Sequence, residues 1–117
     1  MSLNRERYLA LVTLLEQLRS DATTTQIVTL ELRVRIASLQ QFFAQQIVPL
    51  TDEDWRVQSY QTEISKQLRL LEIDVMFLQG ARQASTAQTR LQTISDRLTI
   101  LIQYCDAILQ PEMEGEK

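Results

Sequence analysis

The sequence predicts an all-α protein: an antiparallel four-helix bundle with up-down-up-down connectivity, a short first helix and three longer helices. Composition is the first observation behind this prediction, since 44% of the 117 residues are apolar while glycine and proline occur only twice each. The second is that apolar residues recur every three or four positions along most of the chain. The third is that the interruptions between these series are short, which forces consecutive helices to run antiparallel.

Helix boundaries are predicted from capping boxes, in which a Ser or Thr caps the first free amides and a residue three positions later reaches back. The three boxes are Thr23 with Gln26, Thr51 with Asp54, and Ser85 with Gln88. Pro49 and Gly80 supply stops before the second and third boxes, Gly80 as a left-handed residue past a helix end. The predicted helices cover residues 3–19, 24–47, 52–79 and 86–109. Residues 1–110 are expected to form one domain and residues 111–117 a polar, disordered tail.

The first two helices differ in their apolar patterns. In the first, one conventional core stripe contains Tyr8, Leu11, Leu15 and Leu18. The second has a main stripe of Val28, Leu32, Ile36, Leu39, Phe43 and Ile47, and a second set nearly opposite, Ile27, Leu30, Val34 and Ala37. An apolar set on each side of a helix needs covering on both sides.

The third and fourth helices have apolar series that are out of phase with each other. The third follows Val57, Ile64, Leu68, Leu71, Val75 and Leu78, and the fourth follows Ala87, Leu91, Ile94, Leu98, Leu101, Cys105 and Ile108. If the spacing of the third-helix series continued beyond Leu78, its next positions would be Arg82, Ser85 and Thr89, and none of these is apolar. A turn resets the phase, whereas one continuous coiled coil would have to absorb the slip. The stretch between Phe77 and Thr86 is therefore predicted to be a joint between two helices.

Two interpretations account for the apolar residues outside the core stripes. In one, the first helix lies over part of this surplus on the second. In the other, some of it forms a homodimer or partner surface, with Ile73, Phe77, Ile100 and Tyr104 as the candidates. Trp55 is either an exposed anchor for a partner or a closure of the bundle end. These alternatives differ in whether the side chains are buried in the single chain.

The residue content does not favour catalysis or a cofactor. The chain has no histidine, the commonest general base and transition-metal ligand. Cys105 lies in the apolar series of the fourth helix and is expected to be a buried, inert thiol. Asp52, Glu53 and Asp54 fit a helix start, where carboxylates complement the helix dipole, better than a cation site. We therefore expect no enzyme activity, no cofactor and no metal.

Charge and hydropathy bear on partners and location. Twelve basic residues are scattered among fifteen acidic ones, for a net charge of −3, so neither nucleic acid nor an anionic membrane is an expected partner. The longest apolar stretches fall short of the roughly 20 residues that span a bilayer, and the amino terminus lacks a signal-peptide pattern. We expect a cytoplasmic protein.

Three stretches, "MSLNRERYLALVTLLEQL", "FFAQQIVPLTDEDWRVQSYQTEI" and "RLLEIDVMFLQGARQ", resemble the cyanobacterial PatD family of heterocyst-frequency control proteins. This resemblance covers nearly the whole chain. It implies a small cytoplasmic regulator of filamentous cyanobacteria that limits how many cells differentiate into heterocysts. It also implies binding to the tubulin-like division protein FtsZ and modulation of its polymer assembly. It assigns no binding residue.

Overall fold

The computed structural model describes residues 2–24, 28–50 and 54–110, and these form helices joined by short connections. The α-helices are α1 (Ser2–Thr24), α2 (Thr29–Phe42), α3 (Trp55–Gly80) and α4 (Ala84–Leu109), and a π-helix (Phe43–Ile47) continues α2. The predicted all-α four-helix fold is confirmed. The predicted tail, 111–117, lies outside the described residues.

Side-chain contacts between the helices fix their directions. Arg5 Nη1 donates to the carbonyl oxygen of Leu109 at 3.0 Å, and Arg19 Nη1 donates to Thr99 Oγ1 at 3.1 Å. Helices α1 and α4 are therefore antiparallel. The other three pairs of neighbouring helices also contact each other in inverse order. The contacts are Asp21 with Arg35 and Arg7 with Gln46 between α1 and the second helix, Gln40 with Leu68 and Ile47 with Gln61 between the second helix and α3, and Arg56 with Ala107 and Asp74 with Arg97 between α3 and α4. Each helix is therefore antiparallel to both of its neighbours, as predicted.

One apolar core draws on all four helices. The predicted stripes of α1 and α3 are buried throughout, as are those of α2 and α4 except at Val28, which is exposed, and Ala87 and Leu91, which pack at the core's edge. Full burial stabilises a bundle by about 1.5–3 kcal/mol for each large aliphatic side chain.

The first helix is longer than predicted. It runs 23 residues, to Thr24 rather than to residue 19, while α2 has 14 residues, so the first helix is not the short one. Thr23 does not cap α2; its hydroxyl donates to the carbonyl oxygen of Arg19 at 2.9 Å inside α1, and the other half of that predicted box, Gln26, lies outside the described residues. Ala22 explains the extension, because it continues the buried stripe one turn beyond Leu18.

The end of the second helix has a form that the sequence did not predict. The amide of Val48 donates to the carbonyl oxygen of Phe43, five residues earlier, at 2.9 Å, which is the π-helical pattern. Pro49 follows directly and has no amide hydrogen to continue the helix. Its predicted role as a stop is confirmed.

The third helix begins at Trp55, three residues later than predicted, and its cap is the last residue of the predicted box. Asp54 is the N-cap, and its carboxylate accepts a hydrogen bond from the Arg56 amide at 2.9 Å. The prediction had placed Asp54 three residues after a Thr51 cap, but Thr51 lies outside the described residues. A carboxylate at this position satisfies a free amide and complements the positive end of the helix dipole.

The joint between α3 and α4 is confirmed, although its details differ from the prediction. Gly80 is the last residue of α3 and does not have a positive φ; the cap is Ala81, in an extended conformation with φ −73° and ψ 128°. Ser85 was predicted to cap α4 but lies within it, since the N-cap is Gln83. The Ser85 carbonyl oxygen accepts from the Thr89 hydroxyl at 3.1 Å, as expected inside a helix.

Candidate functional site

The predicted partner residues lie on α3 and α4, and all of them except Tyr104 are exposed on the outside of the bundle. Trp55, Ile73 and Phe77 are on α3 and are exposed, Ile100 on α4 is marginally exposed, and Tyr104 is partly buried against the core. They do not form one patch, because they are spread along the lengths of these two helices. Ile73 and Phe77 lie towards one end and Trp55 and Tyr104 towards the other, with Ile100 between them.

Phe77 and Ile73 form the group next to the α3–α4 joint. The Phe77 ring is 53% exposed, and the Arg90 guanidinium of α4 lies over it, 4.7 Å from the ring centroid. Ile73 is one helical turn earlier on the same side of α3. A cation over an aromatic face restrains both side chains while the rest of the ring stays accessible. This end of the bundle therefore presents an apolar surface beside a positive charge.

Tyr104 belongs to the group at the opposite end. Its ring centroid is 5.6 Å from that of Tyr60, and Arg56 lies 5.7 Å from the Tyr60 centroid. Arg56 Nη1 donates to the carbonyl oxygen of Ala107 at 3.0 Å and so helps to satisfy the last turn of α4. Its Nη2 is buried without a hydrogen-bond partner among the described residues. This cluster is mainly a packed connection between helix ends.

Trp55 lies at this same end, on the first turn of α3, and is 74% exposed. The interpretation that it closes the end of the bundle is therefore wrong for the described chain. The N-cap Asp54 directs the first turn of α3, and Trp55 follows it on the solvent side. Its exposure agrees with the alternative of a partner anchor, without identifying a partner.

A polar network lies between the two groups. Arg97 of α4 donates from Nε to Asp74 Oδ2 at 2.6 Å and from Nη1 to Gln67 Oε1 at 2.8 Å. The two groups are far apart along α3, since Tyr60 of one and Phe77 of the other are separated by seventeen residues, a rise of about 26 Å. This network was not predicted from the sequence, where its signal was a charged residue, Asp74, directly before the core residue Val75.

The apolar surplus of α2 is exposed. Leu30 is 65% and Val34 57% exposed, Ala37 is exposed as well, and Ile27 lies outside the described residues. The expectation that the first helix covers this face is wrong. Arg35 and Asp21 show the reason: their 2.8 Å ion pair places α1 along a different side of α2 from Leu30 and Val34.

Groups with potential chemistry are few in the described chain. Cys105 is fully buried as predicted, and burial, with a smaller contribution from the Asp106 charge, raises the pKa of its thiol to about 12. Within 2–24, 28–50 and 54–110, no three His, Cys, Asp or Glu residues are grouped so as to hold a metal ion. Across the same ranges, none of the helices has both the length and the apolar character needed to cross a membrane.

The fold and surface define an all-α four-helix bundle with exposed apolar side chains on α1, α2 and α3. The chain belongs to the CRR41 C-terminal domain family, whose model matches residues 10–105 and so extends from α1 almost to the end of α4. Neither the search of curated proteins nor that of solved structures found a match. These comparisons do not test the resemblance to PatD, which stays a prediction.

Proposed function

We propose that this protein is a non-enzymatic cytoplasmic regulator that binds FtsZ, modulates its polymer assembly and limits heterocyst differentiation in filamentous cyanobacteria. The identity of the partner rests on the sequence resemblance to PatD. The structural observation that supports a binding role is the half-exposed Phe77 ring, restrained by Arg90 and adjacent to Ile73. Restrained aromatic and arginine side chains are frequent anchors in protein interfaces.

The proposed mechanism is mechanical. A rigid bundle docks on FtsZ subunits and biases the lateral or longitudinal contacts of the filament. Because each bundle acts only where it is bound, the effect on assembly saturates when the available sites are occupied. A monomeric bundle caps or decorates filaments, whereas a dimer bridges two of them.

Sedimentation with FtsZ polymers assembled in GTP tests the proposal. Wild-type protein should pellet with the polymers, and Phe77→Asp should lose most of this binding because it places a carboxylate in the centre of the apolar surface. Gln103→Asp is the matched control, since it adds the same charge at an exposed position of α4. Circular dichroism establishes that both variants fold. Wild-type protein that stays in the supernatant at saturating FtsZ contradicts the proposal.

A homodimeric interaction module is the second candidate function. It is favoured by the exposed apolar face of α2 at Leu30 and Val34, which is separate from Phe77. Light scattering coupled to size exclusion would give twice the chain mass for this module. Val34→Asp should return it to a monomer, whereas Phe77→Asp should leave the dimer intact. A monomeric wild-type mass across the concentration range rejects this candidate.

A further inference from the structure

A groove runs along the outside of the bundle between α3 and the end of α2. Its apolar lining includes Ala44, Val48 and Ile73, and its charged lining includes Lys66 and Arg69. Along α3 the groove extends from Gln61 to Ile73, a rise of about 18 Å, or roughly three helical turns. It lies beside α2, and no residue of α4 is in its lining. Ile73, on the outer face of α3, borders both this groove and Phe77.

The π-helix forms one wall of this groove. Phe43 and Ile47 are buried and fix the π-helix to the core, whereas Val48, immediately after it, is 53% exposed. The hydrogen bond from the Val48 amide to the Phe43 carbonyl widens this turn relative to an α-helix. Isolated π-helical turns are frequent at functional sites. Here the turn leaves an apolar side chain open to solvent at the edge of a long groove.

The charged side chains of the groove are predominantly basic. Lys66 and Arg69 are three residues apart on α3 and therefore neighbours on its surface. Arg69 has no ion pair with a carboxylate in the described chain, and Lys66 Nζ is 4.0 Å from Glu63 with its side chain 63% exposed. Glu72 is the acidic residue of the lining, and it accepts a hydrogen bond from Gln40 Nε2 at 3.3 Å. A protein of net charge −3 thus has accessible cations beside an apolar strip.

We propose that this groove binds an acidic amphipathic helix of another protein. About three turns of helix fill its length, with apolar side chains against Ala44, Val48 and Ile73 and with Asp or Glu side chains beside Lys66 and Arg69. Apolar contacts supply most of the affinity in this mode, and the two cations select the acidic flank and set its orientation. The inference goes beyond the proposed function, because it applies whether or not FtsZ is the partner.

Charge complementarity favours a heterologous partner over a second copy of the chain. In a symmetric dimer formed through this groove, the same surface would be present on both sides. Lys66 and Arg69 would then lie near the equivalent cations of the other copy, and like charges at an interface are unfavourable. An acidic helix removes this repulsion and provides a carboxylate for Arg69.

The test uses a synthetic helical peptide of about 14 residues, with leucines at helical spacing on one face and glutamates along the flank. Titration of the isotopically labelled full-length protein should shift the amide signals of Val48 and Ile73 and saturate. A peptide with lysine in place of each glutamate should bind at least about tenfold more weakly, because it opposes Lys66 and Arg69. Absence of saturable shifts up to about 1 mM peptide overturns the proposal.

Two charge-reversal variants separate a specific groove from general electrostatic attraction. Arg69→Glu should weaken binding of the acidic peptide at least about tenfold, whereas Arg82→Glu should change it less than about twofold. Both arginines are exposed, but Arg82 lies in the α3–α4 connection, away from the groove. Equal effects of the two variants would overturn the assignment to the groove. So would concentration-dependent shifts at Val48 and Ile73 without peptide, which would show that a second copy occupies it.

Discussion

Helices α4 and α2 are both rich in apolar residues, but they use them differently. On α4 the large apolar side chains Leu98, Leu101 and Ile102 are buried, whereas on α2 Leu30 and Val34 are exposed. The spacing explains this difference, because Leu30 and Val34 are each two residues from a core position, which places them about 200° around the helix. The same composition thus builds the core in α4 and, in part, an outer face in α2.

The two helices therefore have different roles in the bundle. α4 lies between α1 and α3 and joins both through packed side chains, so changes on its inner face should destabilise the whole bundle. α2 contributes Leu32, Ile36 and Leu39 to the core and leaves its outer face free. Changes there should therefore have little effect on folding.

The largest expected effect comes from truncating a buried residue of α4. Leu101→Ala should lower the free energy of unfolding by about 3 kcal/mol, through lost apolar contacts and the cavity that remains. Val34→Ala on α2 should change it by less than about 0.5 kcal/mol, because the side chain is exposed. Urea denaturation followed by circular dichroism measures both. If Val34→Ala proved equally costly, the outer face of α2 would have to be covered in solution.

Breaking the ion pair between Asp74 and Arg97 should lower the free energy of unfolding by a similar amount. Arg97→Met leaves Asp74, whose side chain is only 9% exposed, without its charge partner and should cost about 3 kcal/mol. The double variant Asp74→Leu, Arg97→Met should recover much of this loss, because it removes both charges. Denaturation of the single and double variants gives the coupling energy.

A matched control for this pair is Arg90→Met. Arg90 also lies on α4, but its guanidinium contacts the exposed ring of Phe77 rather than a carboxylate. We expect a loss of less than about 1 kcal/mol. If the loss of stability in the double variant Asp74→Leu, Arg97→Met equals the sum of the losses in its two single variants, the Asp74–Arg97 pair contributes no coupling energy.

The fold could be predicted because it depends on side chains that alternate by three and four along each helix. Leu11, Leu32, Leu71 and Leu98 are buried where the periodicity placed them. The joint after Gly80 was also predictable, because the phase of the apolar series changes across it. Both features depend on local sequence patterns.

Boundaries and surface pairings were harder to predict because they depend on tertiary contacts. Thr23 has the sequence of a cap but lies inside α1, where burial of Ala22 favours another turn. The π-helical hydrogen bond at Val48 has no strong sequence signal beyond Pro49. For the candidate site, exposure of Phe77 could be predicted from its position off the main stripe, but its contact with Arg90 required the register of α3 against α4.

A smaller, pH-dependent effect is expected from Cys105 on α4. Burial raises the pKa of its thiol from 9.0 to about 12, so its protonated form is favoured in the folded state. Below about pH 8 this has no effect on stability; at higher pH the unfolded thiol ionises while the folded one does not, and stability falls until about pH 12. We expect a loss of about 1 kcal/mol at pH 10 relative to neutral pH.

The stability of Cys105→Ala across the same pH range isolates this contribution, because the other ionisable groups are unchanged. The difference between wild type and variant should be constant up to about pH 8 and decrease as the thiol of the unfolded wild type ionises. In the native protein the thiol should also react much more slowly with a disulfide reagent than in urea. A constant difference through pH 10, or rapid native labelling, would show that the thiol is accessible.

The smallest expected effect comes from the polar link between α1 and α2. Arg35 Nη1 lies 2.8 Å from Asp21 Oδ2, and both side chains are about one-third exposed, so Asp21→Asn should destabilise the protein far less than Leu101→Ala. The hydrogen bond from Arg35 lowers the pKa of the Asp21 carboxyl. Its stabilising contribution is therefore present above the ordinary aspartate pKa and is lost as the pH falls through the lowered value. A carboxyl titration by NMR should show that pKa rise in Arg35→Gln; an unchanged value would mean that Asp21 and Arg35 do not pair in solution.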